Sequence, residues 1–327
     1  MKIVINTPGT YLCKRGECFL LKKDDSKQEI SSKKVEQILI TTSAALSTDA
    51  VELAVENNID IIFLKRNGRP LGRVWHSKLG SISTIRKKQL ALQENILGFK
   101  LVKEWVSKKI ENQINHLSKL AMNRRDKRKD TINENIAKMR EQLKKIKSIK
   151  NKSVEEIRDS LRGYEGTASR IYFDTLSNII PSKYKFNGRS KHPAKDEFNS
   201  MLNYGYGIMY SNVEKACIIA GLDPYIGIMH TDNYNKKALV FDLIEMYRVY
   251  IDEIVFKLFS TKKIKKEYFD ITEDKGFYLN KEGKQVLIAA YNKEMERKIR
   301  YKGRNIEKQN IIQFDCHDIA NKILKEG

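Results

Sequence analysis

Between Pro70 and Pro181 the chain contains no proline, and early in that span apolar residues recur every three to four positions: Leu90, Leu92, Ile96, Leu97, Leu101, Trp105, Ile110, Ile114 and Leu117. Proline breaks helix interiors, so its absence permits long helices, and the 3.6-residue period gives each helix an apolar stripe to bury. The residues before this span have another texture. Residues 2–6 are a short apolar run ahead of Thr7-Pro8-Gly9, and residues 11–21 read as strand, turn and strand around Lys14-Arg15-Gly16-Glu17. Residues 35–40, 59–64 and 71–75 are further strand candidates, the last after a turn at 67–70. Residues 47–57 read as a helix, with Ser47 or Thr48 as its cap and Val51, Ala54 and Val55 on one face. The expected fold class is α+β: a small β-rich domain over 1–84, then a larger all-helical domain over 85–327.

Over 327 residues, 41% hydrophobic and 9% aromatic content supplies a sizeable core and excludes a disordered chain. No stretch reaches the roughly eighteen uninterrupted apolar residues of a spanning helix, and the first residues lack the apolar run of a signal peptide. The chain therefore reads as soluble and cytoplasmic, with no membrane partner. Its cysteines agree. Cys13 and Cys18 flank a turn and read as strand residues in a reducing compartment, since one Cys-x4-Cys pair without a second is poor zinc chemistry. Cys217 and Cys316 stand alone in the sequence.

Charge narrows the function. Lys and Arg number 62 against 41 Asp and Glu, a net of +21, which points to a polyanionic partner. Residues 1–84 hold thirteen basic and nine acidic residues, leaving 49 against 32 for 85–327, so the helical part is the expected nucleic-acid surface. Segment 121–152, with twelve basic and four acidic residues, is either a solvated helical face or a phosphate-contacting helix pair. A P-loop, a G-x-G-x-x-G, an H-E-x-x-H and a G-x-S-x-G are all absent, which sets aside nucleotide hydrolysis, nicotinamide chemistry and esterase chemistry.

Three segments remain. Leu161 to Arg170 looks like the start of a helix in which Glu165 stands between Gly163 and Gly166; two helical glycines suggest close approach of another backbone, a helix or a nucleic-acid strand. His230 leaves an apolar run at Gly227-Ile228-Met229. Asp242 and Glu245, at i and i+3 of one apolar helix, need either the plain salt-bridge partner Arg248 or a cation. Glu165, His230 and Glu245 together offer two carboxylates and one imidazole, a set suited to Mg²⁺ or Mn²⁺ with positions left for water and phosphate.

At these residues the sequence resembles the metal-dependent integrase/endonuclease of CRISPR adaptation, the larger member of the universal spacer-acquisition pair. Gly163-Tyr164-Glu165-Gly166 with Ala168, Gly188-Arg189 through Tyr206, residues 227–232 and Asp242-Leu243-Ile244-Glu245 carry the resemblance over nearly the whole chain. It implies that Glu165, His230 and Glu245 bind the metal and act catalytically, with Asp242 auxiliary to them. It further implies that Arg189, Asp196, Asn199 and Tyr206 position the backbone or DNA, although His192 stands where that family usually has proline. The implied reaction is attack of a DNA fragment's 3′-hydroxyl on a phosphodiester of the repeat array, with metal-assisted nicking as a related activity. The implied partners are double-stranded DNA, a second copy of the chain joined through the β-rich side, and a small ferredoxin-like protein completing a heterohexamer. Two other classes compete: a metal-dependent nuclease for structured RNA or branched DNA, and a non-catalytic scaffold whose basic helices coat nucleic acid. The stretch Asp315-Cys316-His317-Asp318 is expected on an amphipathic helix with one face in solvent.

Overall fold

The computed structural model describes residues 1–65, 68, 70–75, 83–150, 153–191, 193–230, 236–273 and 275–326. The turn expected at 67–70 is only partly among them, and His192 and residues 231–235 lie outside them.

The β-rich part holds strands β1 (Lys2–Ile5), β2 (Thr10–Arg15), β3 (Cys18–Lys23), β4 (Ser26–Ser31), β5 (Gln37–Ile40), β6 (Ala44–Leu46), β7 (Asp60–Leu64) and β8 (Pro70–Val74), with helix α1 (Thr48–Glu56) between β6 and β7. They form two four-stranded sheets, ordered β1-β5-β7-β8 and β4-β3-β2-β6. Strands β4 and β6 went unread in the sequence. The first is polar but for Ile30 and mostly exposed, and the second, though apolar, is only three residues long, too short to show a period. Ser47 caps α1 by accepting from the Ala50 amide.

Parallel pairing of β1, β5 and β7 requires both faces of that sheet to be covered. Alternation along the strands does this. Ile3, Ile5, Ile38, Ile40 and Ile61 face a core shared with α1 and the second sheet. Leu39, Ile62 and Leu64 face the other way, into the core of the helical part.

The larger part is mostly helical: α2 (Ser83–Leu90), α3 (Ile96–Met122), α4 (Arg128–Ser148), α5 (Val154–Ile179), α6 (Glu197–Ile219), α7 (Ala238–Ile244), α8 (Arg248–Ser260), α9 (Lys281–Met295) and α10 (Lys308–Glu326). Two short hairpins interrupt it, β9 (Phe269–Ile271) with β10 (Phe277–Leu279) and β11 (Lys298–Tyr301) with β12 (Arg304–Glu307), which an all-helical reading omits. Most of the periodic residues of 90–117 are buried as expected, but Leu90 and Ile96 are exposed at the break between α2 and α3. Helix α5 begins at Val154 under a Ser153–Glu156 capping box, so Gly163 and Gly166 lie in its interior and not at its start.

Helix α6 is the seam between the two parts. A Cβ at Gly207 would lie 1.8 Å from the Gly68 carbonyl oxygen, so only glycine lets the helix backbone touch the end of the β7–β8 connection. Gly68 itself has φ +82°, which also favours glycine. The Gln37 side chain donates to Asn212, and the Arg73 guanidinium donates to the Ser211 carbonyl while pairing with buried Asp60 at 3.2 Å.

One cysteine expectation changes with the fold and the other holds. Cys217 and Cys316, far apart in sequence, lie side by side between α6 and α10, where contact with the Cys217 sulfur together with burial pushes the Cys316 thiol well up. Cys13 and Cys18 are free thiols on β2 and β3. Asp315 does not face solvent: it accepts hydrogen bonds from the Tyr247 and Tyr301 hydroxyls at 3.0 and 2.6 Å and pairs with Lys302, pinning the β11–β12 hairpin beside α8.

Candidate active site

A cavity of about 590 Å³ opens between α3, α5, α6, α7 and α8, and its lining includes Glu165, His230, Asp242, Glu245, Arg189 and Tyr206. Six of the side chains singled out from four separate stretches of sequence thus meet in one place. Asn199 does not join them. It is fully buried, accepting from Arg189 and donating to the Gly188 carbonyl and Asp196, so it touches the cavity through Arg189.

Each position follows from local structure. His230 lies in the connection between α6 and α7, and the residues just before it are organised by Asp242. One Asp242 oxygen accepts from the amides of Ile228 and Met229 at 2.7 and 3.1 Å; the other accepts from the His230 amide at 3.0 Å and lies 2.6 Å from His230 Nδ1. The Asp242 carboxylate is wholly buried, and this set of donors replaces its water. A carboxylate on Nδ1 fixes the tautomer and leaves Nε2 as the ring nitrogen open to a ligand.

The stretch read as one helix over 238–248 is two. After α7 the amides of Met246 and Tyr247 bond back three residues, to Leu243 and Ile244, and α8 starts at Arg248. Glu245 sits at this break, so it and Asp242 serve different neighbours. Arg248 pairs with Glu245 Oε1 at 2.9 Å. Lys109, from α3, pairs with Glu245 Oε2 and with Glu165 Oε1, and the Ser169 hydroxyl also donates to Glu165 Oε1 at 2.8 Å. The salt-bridge partner Arg248 is therefore present, and a second side-chain ammonium, Lys109, stands on the other Glu245 oxygen. Burial alone raises Glu245, but Arg248 and then Lys109 outweigh it and bring the carboxyl down to about 2. Burial likewise works against the Lys109 charge, yet Glu245 and Glu165 hold the ammonium above its ordinary range.

Behind this ligand-like set lies a buried layer. The Tyr206 ring lies between the guanidiniums of Arg189 and Arg248, 5.3 and 4.9 Å from its centroid, and its hydroxyl donates to Asp252. Asp252 is pushed up to about 6 by burial, against the hydrogen bond from Tyr206 and the charges of Arg189 and Arg248.

Among the described residues no three His, Cys, Asp or Glu side chains form a ready metal centre. The donor set nevertheless fits a divalent ion. Two carboxylates converge on one cation, here the Lys109 ammonium, and Glu245 Oε2 is a buried acceptor that lacks a well-angled hydrogen bond. No other helix approaches Gly163 or Gly166: among the described residues a Cβ at either would meet nothing within 4 Å outside its own helix, and Gly166 borders the cavity.

Sequence reading missed Lys109 and Asp252. Lys109 carried a signal, because it falls on the α3 face marked by Trp105, Val106, Ile110 and Gln113, all buried; a lysine in that register needs a partner. Asp252 is likewise a charged residue on the buried face of α8.

Comparison with known proteins agrees with the motifs. The family model for CRISPR associated protein Cas1 matches residues 3–293. CRISPR-associated endonuclease Cas1 1 of Archaeoglobus fulgidus is 33% identical over 332 residues, covering 98% of this chain and 95% of that protein. CRISPR-associated endonuclease Cas1 2 of Saccharolobus solfataricus is 31% identical over 259 residues, 78% of this chain and 74% of that one. Among solved structures, a casposase bound to integration product superposes with a TM-score of 0.84 at 22% identity, covering 100% of this chain and 91% of that chain. A Cas1 protein from Thermotoga maritima gives 0.82 at 20% identity, covering 100% and 98%. A chain of a Cas6-RT-Cas1–Cas2 complex gives 0.78 at 20% identity, with 99% of this chain spanning 35% of that one. At these identities the structural matches speak to the fold alone.

Proposed function

The chain belongs to the CRISPR-associated Cas1 family, and from that premise we propose that it is a metal-dependent DNA endonuclease and integrase that inserts short DNA fragments into a CRISPR array. One observation carries the reading: Glu165 and Glu245, from α5 and the α7–α8 break, converge on a single cation beside His230 in a cavity bordered by Arg162, Arg170 and Lys191.

In this reading Glu165, Glu245 and His230 Nε2 hold Mg²⁺ or Mn²⁺, which when bound polarises the scissile phosphodiester. Asp242 keeps the His230 ring in the ligating orientation, and Arg248 keeps Glu245 ionised and in place. Arg162, Arg170 and Lys191 receive the phosphates on either side. Arg189, held by Asn199 and Asn203 and stacked on Phe173 and Tyr206, braces the wall they approach. The fragment's 3′-oxygen forms the new P–O bond and gives up its proton; the target's own 3′-oxygen leaves and takes one up. Water in place of the 3′-hydroxyl gives nicking. No phosphoanhydride is consumed, which suits a chain without a P-loop.

The working assembly is a homodimer joined through the β-rich part, bridged with a second dimer by a small ferredoxin-like partner on double-stranded DNA. Support for DNA and for a partner protein comes from the casposase bound to integration product and from the Cas6-RT-Cas1–Cas2 complex, whose chains share this fold.

A strand-transfer assay tests the reading: a labelled fragment with a free 3′-hydroxyl, supercoiled plasmid, and Mn²⁺, Mg²⁺ or EDTA, with and without the partner protein. Joined product that needs metal and vanishes in Glu165→Ala and His230→Ala is expected. DNA binding without joining or cutting under every condition would leave only a scaffold.

A further inference from the structure

Lys109 occupies the point on which the two acidic ligands converge. Its ammonium contacts Glu165 Oε1 and Glu245 Oε2 at once, and the side chain is 11% exposed. A divalent ion held by Glu165 and Glu245 needs that same space, and two cations at contact distance in a poorly screened cavity repel strongly. Two further observations argue against a plain structural salt bridge. Glu245 already has Arg248 as counter-charge on its other oxygen, so Lys109 is not needed to keep it ionised. The residue is also a lysine, a point charge on a flexible four-carbon stem that can let go of one position and reach another, where an arginine fork would be fixed. There is somewhere to go. Gly166 borders the cavity one residue after Glu165, and apart from its chain neighbours and its own helix backbone no described residue has an atom within 4 Å of where its Cβ would be.

We propose that Lys109 is an exchangeable resident cation: its ammonium holds Glu165 and Glu245 together in the metal-free protein and is expelled into the cavity when a divalent ion binds. This rests on the metal site proposed above. The exchange makes Lys109 the residue that sets how much divalent metal the protein needs, since each binding event displaces a bound charge. It also presents a free ammonium to the phosphate-facing side of the cavity only once the site is loaded.

The test is a Mn²⁺ titration of the full chain followed by electron paramagnetic resonance, on the parent, Lys109→Gln, Lys109→Arg and Glu165→Gln, with melting temperatures in EDTA and in Mn²⁺. Removing a unit charge at contact distance should tighten Mn²⁺ binding at least about tenfold in Lys109→Gln, and Lys109→Arg should bind no tighter than the parent. Lys109→Gln should melt lower than the parent in EDTA and regain more than the parent on adding Mn²⁺. Equal or weaker Mn²⁺ affinity in Lys109→Gln, with equal thermal gains, would overturn the exchange. Should that variant fail to fold, reductive methylation of the parent decides: labelling of Lys109, read by mass spectrometry, should rise with Mn²⁺, and unchanged or reduced labelling overturns the proposal. Failure of the metal site itself looks different, as parent protein with no Mn²⁺ binding that Glu165→Gln removes.

Discussion

His116 shows how much one side chain's surroundings decide. It lies on the buried face of α3, with Nδ1 2.7 Å from the Tyr172 hydroxyl and the Phe256 ring edge-on at 5.8 Å. Burial, only partly opposed by Glu253, pulls it down to about 4. Between about pH 6.5 and 4 the unfolded chain takes up a proton that the folded chain refuses, so acidification across that window costs stability, on the order of 3 kcal/mol in all. Asp252 works the other way, because its raised carboxyl makes the folded state bind a proton below about pH 6 that the unfolded chain does not yet hold. The two offset one another in the parent. Urea midpoints from pH 7 to 4 should therefore fall less steeply, or rise, in His116→Gln; identical slopes in the two proteins would show that His116 titrates normally. At this scale the sequence was informative only where a charged residue broke an apolar stripe. Lys109 and Asp252 do so, but which atoms they meet depends on helices distant along the chain.

Among elements, α5 and α6 carry glycines of opposite meaning. Gly163, inside α5, has open space where a side chain would go, so its cost is the ordinary helical one; Gly163→Ala should raise stability by about 0.5–1 kcal/mol. Gly207, inside α6, has the Gly68 carbonyl in that place, and Gly207→Ala should lower stability by about 1–3 kcal/mol as the seam is forced apart. Chemical denaturation of the two variants checks both signs, and a loss in the first would mean that something packs there after all. No feature of sequence alone separates these glycines, since both sit in long helical runs. Element identity was easier to read. The short apolar runs within 2–6, 35–40 and 59–64 and the period of 90–117 are local signals, whereas β4 and the α7–α8 break are imposed by neighbours.

For the whole molecule, the surplus of +21 sets how it meets a polyanion. Binding to duplex DNA should weaken with added salt, log K falling against log salt by about 0.9 for each phosphate neutralised. A flat response, measured by fluorescence anisotropy on a labelled duplex between low and moderate salt, would remove nucleic acid as the partner. This charge was fully legible in composition. The candidate site was legible as residues but not as an arrangement: Glu165, His230 and Glu245 stood out, while the cation between the carboxylates and the brace of Arg189, Tyr206 and Asp252 depend on the packing of five helices.

Composition changes near residue 84, but cohesion does not. Leu39, Ile62 and Leu64 belong to the same core as Trp105 and Ile114, so the sheet's second face has the helices as its cover. Calorimetry of the full chain should show one cooperative transition, and two separated ones would contradict the shared core. Neither part owns that surface alone. A β-rich part borrowed from a relative would arrive with an oily face cut for different helices, and the helical part would be left with a matching wound. Successful exchange between relatives must therefore recut both sides of the seam together, and the unit that inheritance or engineering can move is the pair.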